Sequence, residues 1–219
     1  MGTSSIIDII GSAVIAGILL LMCLRLNAQA NESSSIYNGS VILQENIVAL
    51  VGWLEHDFRG IGYCAKWTNI PDPSKSIRRA DTSYIRFWTD LPAKDITGRR
   101  IGAPDSLVDS VTWMLGPLDA TTPNPRDRWI YRLENTDTMK WKLGVTQFRL
   151  QYFDYDGDTL KVMPVPIPGD IYTLQISVAC EAPFTFREQY RASRAVDTLA
   201  DFQVFWRQLR LAARNLKAR

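Results

Sequence analysis

Sixteen consecutive residues near the start of the chain, Ile9 to Leu24 (IIGSAVIAGILLLMCL), carry no charge, and Asp8 and Arg25 bracket them. Such a run restricts the options more than any other feature. A soluble core helix is seldom apolar on every side, because one face must meet water. From Ile6 to Leu26, at about 1.5 Å per residue, a helix spans roughly 30 Å, the thickness of the hydrocarbon layer. The run therefore predicts a transmembrane helix. Gly11, Ser12, Ala13, Ala16 and Gly17 lie within it. Small residues let membrane helices approach closely, so Gly11 and Gly17 are candidate assembly positions. Asp8 is a carboxylate at the membrane edge, where a charge is costly unless partnered. It is the third assembly candidate.

Two fates of this helix fit the sequence. It is retained as an anchor, or it is a secretory signal cut after Ala30, since Ala28-Gln29-Ala30 has the small-x-small form of a cleavage site. The first five residues contain no Lys or Arg, and Arg25 interrupts the approach to the cleavage site. Both features favour the retained anchor. The layout then predicts a single pass, with a short cytoplasmic start and an exported C-terminal domain.

No proline occurs before Pro71, so residues 6–60 can be nearly continuous helix. After a polar stretch from Asn31 to Ser40, Ile47, Leu50, Val51, Leu54 and Phe58 recur at the spacing of one helix face. Gln44, Glu45, Glu55, His56 and Asp57 are expected on the remainder. Gly60, Gly62, Pro71 and Pro73 end the pattern. Beyond residue 71 the period changes to two. Strands are expected at Ser83–Thr89, Ser110–Leu115, Arg128–Leu133, Lys140–Phe153 and Ile171–Ala179, rich in β-branched and aromatic residues. Asp156-Gly157 signals a tight turn into a short return strand, Thr159 to Met163. A final strand is expected near Gln203 to Leu211, after a helical or turn segment from Ala195. The fold class is α+β: a long N-terminal helix, half transmembrane and half amphipathic, packed on an antiparallel sheet. Its expected parts are 1–30 (transmembrane helix), 31–62 (amphipathic continuation) and 63–219 (extracytoplasmic β-rich domain).

These patterns resemble a known family. The charge-free helix begins after an acidic residue. Gln44-Glu45-Asn46 leads to the run Leu54-Glu55-His56-Asp57-Phe58-Arg59-Gly60-Ile61-Gly62-Tyr63-Cys64. The segments Ser83–Asp90 and Gly144–Gly157 (GVTQFRLQYFDYDG) follow in order. Together they resemble type IV pilins and the pseudopilins of type II secretion, particularly W-type and J-type minor subunits. The resemblance implies a structural subunit stored in a bacterial inner membrane, its C-terminal domain periplasmic or extracellular. It implies partners of the same kind, bound through the first helix, with Asp8 neutralising a neighbour's N-terminal amine. The family carries a glutamate at the fifth mature position, whereas Asp8 falls at the sixth position after Gly2 and is an aspartate.

The remaining chemistry is sparse. His56 is the sole histidine, so neither a His-based triad nor a multi-His metal site can form. No phosphate loop is present. Asp154, Asp156 and Asp158 surround Gly157 as in part of a Ca²⁺ loop, without the closing glutamate, and are expected to form a hairpin turn. No cofactor is expected, calcium being the outsider. Cys64 and Cys180 could form a disulfide in an oxidising compartment, whereas Cys23 lies in the apolar run. The net charge of +2 is too mild to imply a nucleic-acid partner. The alternatives to a filament subunit are a membrane-anchored binding module and a secreted β domain.

Overall fold

A computed structural model describes residues 3–95, 97–122, 124–181 and 204–212. Among the described residues one α-helix, α1, runs over Thr3–Arg59, and nine strands follow. These are β1 Ile77–Ala80, β2 Tyr84–Thr89, β3 Pro92–Lys94, β4 Arg100–Pro104, β5 Asp109–Leu118, β6 Arg128–Glu134, β7 Asp137–Phe153, β8 Thr173–Glu181 and β9 Val204–Ala212. Seven form one sheet in the order β1-β2-β5-β6-β7-β8-β9, and β3 pairs with β4 separately. Every neighbouring pair is antiparallel. This is the α+β arrangement expected from the sequence, one long N-terminal helix and an antiparallel sheet. The chain divides into two compact units, Met1–Ile42 and Leu43–Arg219.

In the first unit the described side chains of the apolar run lie open, from Ile7 at 68% to Leu26 at 65% exposure. By length and composition this stretch can cross a membrane, and none of it is buried. The helix also continues through the polar stretch, Asn31 to Ser40.

The second unit owns the core. Leu43, Ile47, Leu50, Leu54 and Phe58 recur at three- and four-residue intervals along α1, and all are buried. They pack with Ile85, Phe87, Trp113, Ile130, Phe148, Leu150 and Ile176 from the sheet's inner rows. Phe58 meets Phe87 edge-on at 5.5 Å. Burying such a side chain stabilises by about 1.5–3 kcal/mol. Gly62, at φ +74°, turns the chain away after α1, and its N–H donates to the Trp88 carbonyl at 2.9 Å. A side chain at that φ would be strained.

The five expected strands form, with shifted ends. β1, β3 and β4 do not show in the periodicity because each is five residues or shorter. Pro92 and Pro104 lie within β3 and β4, as is tolerated in a small two-stranded edge pair. The return strand Thr159 to Met163 does not form. A single bridge joins Phe153 to Thr159, and Pro164, Pro166 and Pro168 follow, each lacking the N–H that a ladder needs. The final strand is β9. Its expected helical or turn approach, with Ala195, lies outside the described residues, as does the C-terminal end beyond Ala212.

Candidate functional site

The first element of the site is a residue that the helix pattern misplaces. Asp57 was expected on the polar side of α1, but it is buried at 4% exposure. It stands three residues after Leu54 and seven after Leu50, which places it on the apolar stripe. That spacing was the available signal. A buried carboxylate needs partners, and the sheet supplies them. Arg132 in β6 grips it with two nitrogens, Nε to Oδ2 at 2.6 Å and Nη2 to Oδ1 at 3.2 Å. The Trp113 indole N–H in β5 donates to the same Oδ2 at 2.8 Å.

Arg132 also donates to Glu134 Oε2 at 2.7 Å. Glu134 in turn holds the β3–β4 pair, through Lys94 at 2.9 Å and through Arg100. Lys94 reaches Asp137 at 2.7 Å. Burial opposes the Arg132 charge, but Asp57 and Glu134 outweigh it and raise its pKa. Burial likewise opposes the Glu134 charge, while Arg132, Lys94 and Arg100 hold that carboxyl below its usual range. The hydrogen bond to Asp137 is the main reason that Lys94 is raised.

Beside this network lies a cleft of about 370 Å³ lined by Trp53, His56, Asp57, Arg100, Arg132 and Met139. Trp53 meets Trp141 edge-on at 4.7 Å, and Trp141 stacks on Trp113 at 5.6 Å. The cleft's charges are spent on one another, so its exposed lining is aromatic and thioether. It can receive a flat or apolar group. Its carboxylate, clamped by Arg132 and Trp113, is poorly placed to move a proton.

The other expected sites fall elsewhere. Asp8 is exposed, and a Cβ added at Gly11 or Gly17 would meet nothing within 4 Å. Cys64 and Cys180 are both buried, and no disulfide joins them in the structure. Cys64 donates to the Ser106 carbonyl at 3.8 Å. Burial and the charges of Asp127 and Glu181 push the Cys180 thiol up to about 12. Asp154, Asp156 and Asp158 form the expected turn: Asp154 Oδ1 accepts from the Asp158 N–H at 2.8 Å, and Gly157 takes φ +86°. The acidic side chains that do converge among the described residues are Asp90, Asp105 and Asp109, within 4.8 Å of one another. Their oxygens accept from loop donors, including the N–H groups of Ala65, Leu91, Ser106 and Leu107. Sequence reasoning missed this group because its members are fifteen or more residues apart or set in loops without a recognised spacing. Trp113, the indole that donates to Asp57, is itself fully buried.

No protein-family model matches the chain, and no curated protein matches it. Among solved structures the chain is similar to a type IV-like pilin from Thermus thermophilus, with a TM-score of 0.42 and 9% sequence identity over 80% of this chain and 98% of that one.

Proposed function

We propose that the protein is a membrane-anchored structural subunit, pilin-like in build, which joins other subunits of a filament or envelope complex through the first half of α1. The carrying observation is the apolar surface of the first unit. Its side chains from Ile7 to Leu26 are exposed, and no part of the described chain covers them. Exposed apolar area on that scale is unfavourable in water, so lipid or neighbouring helices must cover it. Gly11 and Gly17 leave room for close approach, and Asp8 is available to a partner's positive charge. In the second unit the buried Asp57–Arg132 pair ties α1 to the sheet, which supports a structural rather than catalytic role.

Cys23 offers a direct test. It is exposed, whereas Cys64 and Cys180 are buried. Thiol cross-linking of the protein in its native membrane is expected to trap Cys23 adducts with other membrane-helix subunits, and Gly17→Leu is expected to deplete them. A chain recovered only as monomer would overturn the reading. So would a mature N-terminus at Asn31, which would leave a secreted β domain.

A further inference from the structure

The outer face of the seven-stranded sheet segregates charge. Alternation and register identify its outward rows: Tyr84, Arg86 and Trp88 in β2, Gln147, Arg149 and Gln151 in β7, and Trp206, Gln208 and Arg210 in β9. Lys140 and Lys142 point the same way beside Trp129. Of the acidic residues in the described strands, Glu181 alone falls in the outward row, and it is buried. Asp109, Glu134 and Asp137 lie in the inward rows, and Glu181 is covered by Asn124 and Arg126. Lys142 is paired with Asp119 at 3.1 Å. Arg78, Arg86, Lys140, Arg149 and Arg210 have no acidic partner among the described residues. They spread over the sheet from β1 to β9, about 29 Å at about 4.8 Å per strand.

Several of these cations are held in place. Arg78 lies over the Trp88 ring at 4.4 Å, Arg210 over Phe153 at 4.2 Å, and Lys140 over Trp129 at 5.2 Å. Arg86 Nε donates to Ser110 Oγ at 3.0 Å. A ring quadrupole or a hydroxyl orders a cation without cancelling its charge. The heads are therefore partly immobilised before any anion arrives, which lowers the entropic cost of binding one. Neutral donors and acceptors fill the spaces between them: Gln147, Gln151, Gln175, Ser177 and Gln208.

We propose that this face binds an acidic polysaccharide, its carboxylates on the arginines and lysines and its hydroxyls on the glutamines and serine. Single-stranded nucleic acid fits less well. Base stacking along a strand needs several open aromatic faces, whereas the rings of Trp88, Trp129, Tyr84 and Phe153 carry their own cations, which leaves Trp206 as an open ring at one edge of the sheet. This inference is independent of the filament reading, because it concerns the second unit alone.

The test uses the full chain in a polyoxyethylene detergent and polygalacturonate as the probe, with dextran, oligo-dT and vesicles containing phosphatidylglycerol as comparators. Polygalacturonate is expected to bind, dextran not. Raising NaCl from about 0.05 M to about 0.3 M is expected to weaken binding steeply. Arg149→Glu/Arg210→Glu should weaken it by about tenfold or more, while Lys66→Glu/Lys161→Glu, with the same change in net charge, should leave it within about twofold. All variants alter exposed side chains, and unchanged thermal melts would show that they fold. Absence of polygalacturonate binding at low salt, equal loss in both double variants, or tighter binding of oligo-dT or the vesicles would each overturn the proposal.

Discussion

Two buried ionisable groups in the second unit respond oppositely to change. Arg132 is caged between Asp57 and Glu134, and its removal leaves the buried Asp57 carboxylate with the Trp113 indole but no cation, while Glu134 keeps Lys94 and Arg100. Arg132→Met is expected to cost about 3–5 kcal/mol, read from denaturant unfolding. A loss under about 1 kcal/mol would show that water already reaches the pair. Asp127 is the converse case. It is 3% exposed, and its Oδ1 has no hydrogen-bond partner. Burial first, then the charges of Glu181 and Asp119, hold its carboxyl above the ordinary value of 3.8, although Thr122 and Asn124 pull the other way. A carboxyl whose folded pKa is raised costs stability in its charged form above that pKa, and the cost disappears as pH falls through it. Asp127→Asn is therefore expected to stabilise at pH 7 by about 1 kcal/mol, or about 2–4 °C in Tm. The gain should shrink as the pH falls through the raised value. A gain independent of pH would assign the effect to hydrogen bonding instead. Glu134 has the opposite sign: its lowered pKa contributes stability above its unfolded value near 4.5, lost as pH falls through the lower folded value.

The elements show why β7 is long yet keeps two registers. Trp141 packs inward opposite Ile130, and Val145 packs inward opposite Cys180, but the ladder shifts between Val145 and Gln147. The sequence alternation stumbles at the same place, where Val145 and Phe148 are three residues apart. Gly144 precedes the shift at φ +69°, and a Cβ there would lie 2.8 Å from the Glu181 carbonyl oxygen. Backbone cannot yield as a flexible side chain can. Gly144→Ala is expected to destabilise by about 1–3 kcal/mol through strain and clash together. A neutral result in a thermal melt would show that β7 and β8 can separate there at little cost. The main strands and the helix stripe were legible in the residues because each presents a buried face with a clear period. β1, β3 and β4 were not, being too short to display one. The return strand after Gly157 was misread because an apolar run resembles a strand until the prolines that follow it are weighed.

For the whole molecule, the chain's order of residues by itself determined a charge-free helix, an amphipathic continuation and an antiparallel sheet to receive it. These follow from local rules, namely apolar length against bilayer thickness and periods of 3.6 and 2. Tertiary structure decided what depends on residues distant in sequence. Asp57 became the anchor of a buried network only because Arg132, seventy-five residues away, faces it across the core. Cys64 and Cys180 are both buried, and Cys64 turns its thiol to the Ser106 carbonyl, a neighbour forty-two residues on that no local pattern points to. The charge of +2 concealed a face whose unpaired charges, among the described residues, are positive, since a net charge sums over a chain without regard to which side of a sheet each residue occupies. That partition is set by strand register, where a shift of one residue would move every side chain to the opposite face.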